Sequence, residues 1–196
     1  MTNSCYITQN DLLLKNLMNF YKTELNDLYN PHNNLDKMLR IISGESKISL
    51  RIVDWFTTNY AKKHYTLYTV ETDNNIERRF KVYDDYKLKL KAYSKKRFDP
   101  FCRWDRISIP YTKGTFVETT IGQLNFFKWA LENKVIDYID QHYETIEIDM
   151  NKRNSTSKRK DSLIDNSKTR KKREELSISA TKSIKKEKLE IVVHFN

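Results

Sequence analysis

Between Asn151 and Arg173 the chain reads NKRNSTSKRKDSLIDNSKTRKKR. Ten of these residues are Lys or Arg, two are Asp, and only Leu163 and Ile164 are sizeable apolar side chains. Such a stretch buries too little apolar surface to offset the conformational entropy that folding removes. It predicts a disordered basic linker and confines the foldable chain to either side of it. The implied organisation is a globular domain over residues 1–150, a linker over 151–175 and a β-prone C-terminal segment over 176–196.

The formal charge of +10 follows the same division. Residues 151–173 carry +8, residues 174–196 sum to zero, and about +2 is left for residues 1–150. The clusters Lys158, Arg159, Lys160 and Arg170, Lys171, Lys172, Arg173 are candidate phosphate contacts. Cations so grouped bind nucleic acid by counterion release, an attraction that ignores sequence and weakens with salt. Their spacing is also that of a bipartite nuclear-import signal, and the competing reading is a solvated linker that its own charge keeps extended. The following SISATKSIKKEKLEIVVHFN ends in the β-branched run Ile191, Val192, Val193, which reads as a terminal strand, preceded by a helical turn or a second short strand. That strand needs a partner edge, either in its own domain or on another protein by β-augmentation, so Leu176 to Asn196 is a candidate docking segment.

Residues 1–150 read as α+β: a helical framework with a small antiparallel sheet. Helical spacing of apolar residues predicts a helix over Asp11 to Tyr29 capped by Asn10 or Asp11, a second over Asn34 to Ser43 closed by Gly44, and a third over about Lys47 to Lys63. The period then changes. HYTLYTVETDNNIERRFKVY alternates on both sides of Asp73, Asn74 and Asn75, the pattern of a β-hairpin. A basic helix over Asp84 to Lys96, where Leu88, Leu90 and Ala92 also fit a strand, ends at Asp99 and Pro100; two short strands, Ile107 to Ile109 and Thr115 to Thr119, follow. Thr120 with Gln123 has the form of a capping box, opening a helix that breaks near Asn133 and resumes to about Met150.

The residue inventory restricts the chemistry. Gly44, Gly114 and Gly122 stand far apart, which argues against glycine-rich phosphate loops. His32, His64, His142 and His194 fall in no catalytic pattern, and no His, Cys or carboxylate cluster has metal-ligand spacing. Cys5 and Cys102 are too few for a disulfide framework, and no run of 18 apolar residues exists. The expectation is a non-enzymatic protein with no catalytic residues, no metal, no cofactor and no membrane partner.

Binding is the better-supported class. KAYSKKRFDPFCRWDRI, Lys91 to Ile107, interleaves aromatic and cationic residues. Lys95, Lys96, Arg97, Arg103 and Arg106 are candidate nucleic-acid contacts. Phe98, Phe101 and Trp104 either stack bases, as aromatic platforms for single strands do, or plug the core beneath the turn at Pro100; the second reading is preferred.

ISLRIVDWFTTNYAKK, YDDYKLKLKAYSKKRFDPFCRWDRI and ETTIGQLNFFKWALENKVIDYI resemble a family of uncharacterised proteins from giant nucleocytoplasmic large DNA viruses, over roughly residues 45–150, and ELSISATKSIKK fits it too. The resemblance brings no catalytic residues. It implies viral origin and a setting in a cytoplasmic virus factory or a virion, with the nucleus open through the basic clusters. The expected function is a nucleic-acid-associated accessory protein, with DNA or RNA as ligand, serving transcription, replication or genome packaging. The alternative is an adaptor or minor virion component that docks on a viral protein through Leu176 to Asn196.

Overall fold

Helices with one apolar face need a common surface to bury it, and here that surface is a central helix rich in aromatics. The computed structural model describes residues 8–22, 34–71, 76–111, 115–161 and 186–188. The helices are α1 (Gln9–Lys22), α2 (Asn34–Ser43), α3 (Leu50–Trp55), α4 (Ala61–Lys63), α5 (Val82–Arg97), α6 (Ile121–Glu132), α7 (Val135–Gln141) and α8 (Tyr143–Asp161). The strands are β1 (Leu67–Glu71), β2 (Glu77–Lys81), β3 (Arg106–Pro110), β4 (Thr115–Thr120) and β5 (Lys186–Lys188). This is an α+β fold on a helical framework, with one antiparallel sheet of two strands and another of three among the described residues.

α6 is the centre. Its Leu124, Phe126, Phe127, Trp129 and Ala130 are buried, and each large apolar side chain so buried contributes about 1.5–3 kcal/mol. α1 lies against it through Leu17 and Tyr21, and the Tyr21 hydroxyl donates to the Leu124 carbonyl at 2.8 Å. The α1 cap is Thr8 rather than Asn10 or Asp11. Its hydroxyl accepts from the Asp11 backbone at 3.2 Å, while Asp11 accepts from the Thr8 backbone at 2.9 Å, a reciprocal box. The expected extension of this helix to Tyr29 lies outside the described residues. α2 has the expected bounds, and Gly44 follows it with a left-handed φ of 80°.

The third helix is interrupted. Phe56–Tyr60 forms a π turn between α3 and α4. Two adjacent threonines account for it: the Thr57 hydroxyl donates to the Val53 carbonyl at 3.1 Å and the Thr58 hydroxyl to the Asp54 carbonyl at 2.6 Å. Side-chain bonds of this kind compete with the helical ladder and bend it.

β1 and β2 make the expected hairpin, with Tyr68 opposite Phe80 and Val70 opposite Arg78. β3 and β4 pair with Ile109 opposite Val117, both buried. β5 then adds to β4, with Thr115 opposite Lys188 and Val117 opposite Lys186. Lys186–Lys188 thus pairs within the chain's own sheet. This covers the β4 edge over those three residues. The strand expected at Ile191 to Val193 lies outside the described residues.

Thr120 caps α6 by accepting from the Gln123 backbone at 3.1 Å. The Gln123 side chain does not close the box; it accepts from the Thr119 hydroxyl at 2.9 Å and donates to the Pro100 carbonyl at 2.9 Å. Lys134, with φ 54°, ends the helix where a break was expected. α8 differs most from expectation. Its first half packs through Ile146 and Met150, and the helix then continues past residue 150 to Asp161, so the first 11 residues read as unfolded linker are helical. No Gly or Pro interrupts them, and a helix already nucleated on the core extends at little cost through Lys and Arg, which are good helix formers. Among the described residues no helix is long and apolar enough to cross a membrane.

Candidate nucleic-acid interface

The exit of α5 is a structural clamp. Ser94 sits at φ 59°, ψ 169°, a conformation that glycine alone adopts readily, and it kinks the helix before Lys95. The chain behind it is pinned to the start of α6. The Asp99 backbone donates to the Gly122 carbonyl at 3.1 Å and the Asn125 amide donates to the Arg97 carbonyl at 2.8 Å. A Cβ on Gly122 would meet the Lys96 carbonyl oxygen at 3.0 Å, so glycine is what lets the two segments touch. Phe98 and Phe101 are 2% and 6% exposed. Neither offers a face to a base, which removes them as a stacking platform; Trp104 alone of the three is open, at 43%.

The five cations predicted for this surface have different situations. Lys95 is exposed and makes no ion pair among the described residues. Lys96 pairs with Asp105 at 3.3 Å and Arg106 with Glu118 at 3.2 Å. Arg97 reaches across to α1, donating to Asn10 at 2.7 Å and Gln9 at 3.1 Å. Arg103 grips Asp99 with both arms of its fork, at 2.7 and 2.9 Å, and lies over the Phe101 ring. Asp99 is 3% exposed, so Arg103 neutralises a buried carboxylate. Breaking a fully buried pair costs about 3–5 kcal/mol; with the guanidinium partly in solvent, Arg103→Gln is expected to cost about 2–3 kcal/mol in urea denaturation.

Asp54, on α3, lies within electrostatic reach of that pair. Burial first, and then the Asp99 charge, push its carboxyl up to about 6, while Arg103 pulls the other way. Because the folded state holds this proton more tightly than the unfolded chain does, the resulting stability is present at low pH and is lost as pH rises through about 6. Asp54→Asn is accordingly expected to gain about 1–3 kcal/mol at pH 8 and little near pH 4, read by urea midpoints at the two pH values.

A second cationic surface joins residues far apart in sequence. The π turn and α4 bring Asn59 and Lys63 against α8, where with Asp149, Lys152 and Arg153 they line a cleft of about 310 Å³. Asp149 organises it, accepting from Lys63 and from the Trp55 indole at 3.2 Å, with His64 at 3.8 Å. Burial acts to raise the Asp149 carboxyl, but the Lys63 and Trp55 hydrogen bonds and the Lys63 and His64 charges outweigh it and hold the group below the usual carboxylate range. Arg153 donates to Asn59 at 3.3 Å and stacks over Trp55 at 5.4 Å. Lys62 continues the surface towards α5, 5.6 Å from the Tyr83 ring centre. These fixed cations stand at the root of the helix that carries Lys158, Arg159 and Lys160. Arg170, Lys171, Lys172 and Arg173 lie outside the described residues.

Lys152 and Arg153 are not legible as site residues in the sequence, because the i, i+3 and i, i+4 spacing that unites them with Asp149 appears only when residues 151–153 are helical, and Lys62 and Lys63 reach this surface only through the tertiary contact of α4 with α8.

Comparison with known proteins places the chain more firmly than any of these features does. It is 45% identical over 128 residues to an uncharacterized protein of Acanthamoeba polyphaga mimivirus, a match that covers 63% of this chain and 49% of that protein. The chain thus spans about half the length of the curated relative it matches. No solved structure matches it. Residues 5–195, including the basic segment and the returning strand, match the family described as Family of unknown function (DUF7197). The chain therefore belongs to that family, and its relative is a giant-virus protein, as the resemblance in its sequence implied.

Proposed function

We propose that this is a non-enzymatic, nucleic-acid-associated accessory protein of a large DNA virus, acting in transcription, replication or genome packaging. The observation that carries the reading is the continuity of charge along α8. Lys63, Lys152 and Arg153 are held in one cleft, and the same helix leads into residues 154–173, whose eight Lys or Arg against two Asp give a net charge of +6. Fixed cations at the root position the ligand, and the segment beyond supplies long-range, salt-sensitive attraction to phosphate. The setting proposed is a virus factory in the host cytoplasm or the virion, with the nucleus reachable through the two basic clusters.

Fluorescence anisotropy of the intact chain with 20-nucleotide single- and double-stranded DNA and RNA, between about 50 and 200 mM salt, tests the reading. An affinity that falls by about 10³ or more over that range is expected for six or more phosphate contacts. Failure of every probe to bind at 50 mM salt would sink it.

A further inference from the structure

We infer that the basic half of α8 enters the major groove of double-stranded DNA. This rests on the nucleic-acid reading and adds the class of ligand and the manner of its engagement.

The two halves of α8 differ in character. Ile146 and Met150 are its last buried apolar residues, and residues 151–153 are exposed. From there the helix continues through Asp161, 11 residues that span about 16 Å at 1.5 Å per residue. This stretch contains Lys152, Arg153, Lys158, Arg159 and Lys160 against Asp161, with Asn154, Ser155, Thr156 and Ser157 between the two groups of cations. It contains no apolar residue, so no further core would bury it. A helix of about 10–12 Å diameter fits the B-form major groove, about 12 Å wide. Lys and Arg there reach phosphates and guanine edges, and short polar residues serve as further partners for phosphates and bases.

The other ligand classes fit less well. Single strands are held by aromatic faces that stack bases, yet no aromatic residue follows Tyr143 in α8, and Phe98 and Phe101 are buried. Duplex RNA has a major groove too deep and narrow for side chains to read. The root of the helix is also preset for docking. Arg153 is braced by Asn59 and Trp55, and Asp149 ties α8 to α4 through Lys63, so the basic half leaves the domain in a defined direction.

The decisive variant keeps every charge and removes the helix. Proline at position 157 takes away a backbone donor and clashes with the carbonyl four residues earlier, while all cations stay in place. Affinities of the intact protein and of Ser157→Pro are measured for one 20-base-pair sequence as duplex DNA, as duplex RNA and as single-stranded DNA, at about 100 mM salt. The parent is expected to favour duplex DNA by about tenfold or more. Ser157→Pro is expected to lose about tenfold on duplex DNA and little on the single strand, with an unchanged thermal midpoint for the domain. A Ser155→Gly, Ser157→Gly double variant, which weakens the helix without proline, is expected to lie between them.

Equal affinity of the parent for all three probes overturns the inference and leaves the broader function standing. So does unaltered duplex binding by both helix-weakened variants. Absence of salt-sensitive binding to any probe overturns both.

Discussion

Phe98→Ala is expected to cost about 3–5 kcal/mol of stability, a shift read directly as a lower urea midpoint, with the salt dependence of nucleic-acid binding unchanged in whatever fraction remains folded. The ring is 2% exposed and is surrounded by aromatic rings: Phe126 at 5.3 Å, Trp129 at 5.5 Å, Tyr86 at 5.9 Å and Tyr93 at 6.3 Å between centres. Removing it leaves a cavity that these rings, fixed on α5 and α6, cannot close. Trp129 has an added constraint, since its indole donates to Asp85 at 2.6 Å and a rotation to fill the gap would break that bond. Trp104→Ala, at a position 43% exposed, is the contrast and should cost under about 1 kcal/mol. A Phe98→Ala protein of parental stability that had lost nucleic-acid binding would reinstate the stacking role that burial argues against.

The second large effect is electrostatic. Replacing Lys158, Arg159, Lys160, Arg170, Lys171, Lys172 and Arg173 together by Gln removes seven positive charges from a segment of net +8. Each phosphate contact on duplex DNA contributes about 0.9 to the slope of log affinity against log salt, so the slope should flatten by up to about 6 and affinity at low salt should fall on the order of 10³-fold. Stability should hardly move, because these positions add no apolar residue to the core. The comparison with Arg103→Gln is informative. That single substitution should lower stability by about 2–3 kcal/mol and leave the salt slope nearly intact, since the Arg103 guanidinium already belongs to Asp99.

Local signals in the sequence were enough for much of the fold. The Asn34 to Ser43 helix with its glycine stop, the hairpin, the Thr120 cap and the break near Asn133 each rest on neighbours within a few residues, and each appears in the structure with nearly the expected bounds. The failures share a different cause. The π turn arises because two threonine hydroxyls win carbonyls from the helical ladder, a competition that the apolar stripe does not register. Low apolar content predicts disorder past residue 150 and does not register the extension of α8 through Asp161, because a helix anchored at one end needs no core of its own for its next few turns.

The site followed the same pattern. Charge density singles out Lys95, Lys96, Arg97, Arg103 and Arg106, but density cannot reveal internal partners. Arg97 finds its own on α1, 87 and 88 positions away. Arg103 finds its own only four residues back, a pairing that spacing alone could have suggested had Asp99 been recognised as buried. Conversely, Lys63 and Asp149 stand 86 positions apart, and nothing short of the fold joins them. The stretch KAYSKKRFDPFCRWDRI thus becomes a clamp between α5 and α6, and the candidate interface lies where α4 meets α8.

Lysine footprinting tests that relocation most directly. The intact protein is acetylated under limiting reagent with and without a 20-base-pair DNA duplex, and modification at each lysine is read by mass spectrometry. Protection by DNA is predicted at Lys62, Lys63, Lys152, Lys158 and Lys160, with Lys95 and Lys96 modified equally in both states. Protection confined to Lys95 and Lys96, or an unchanged pattern at saturating DNA, would contradict the account.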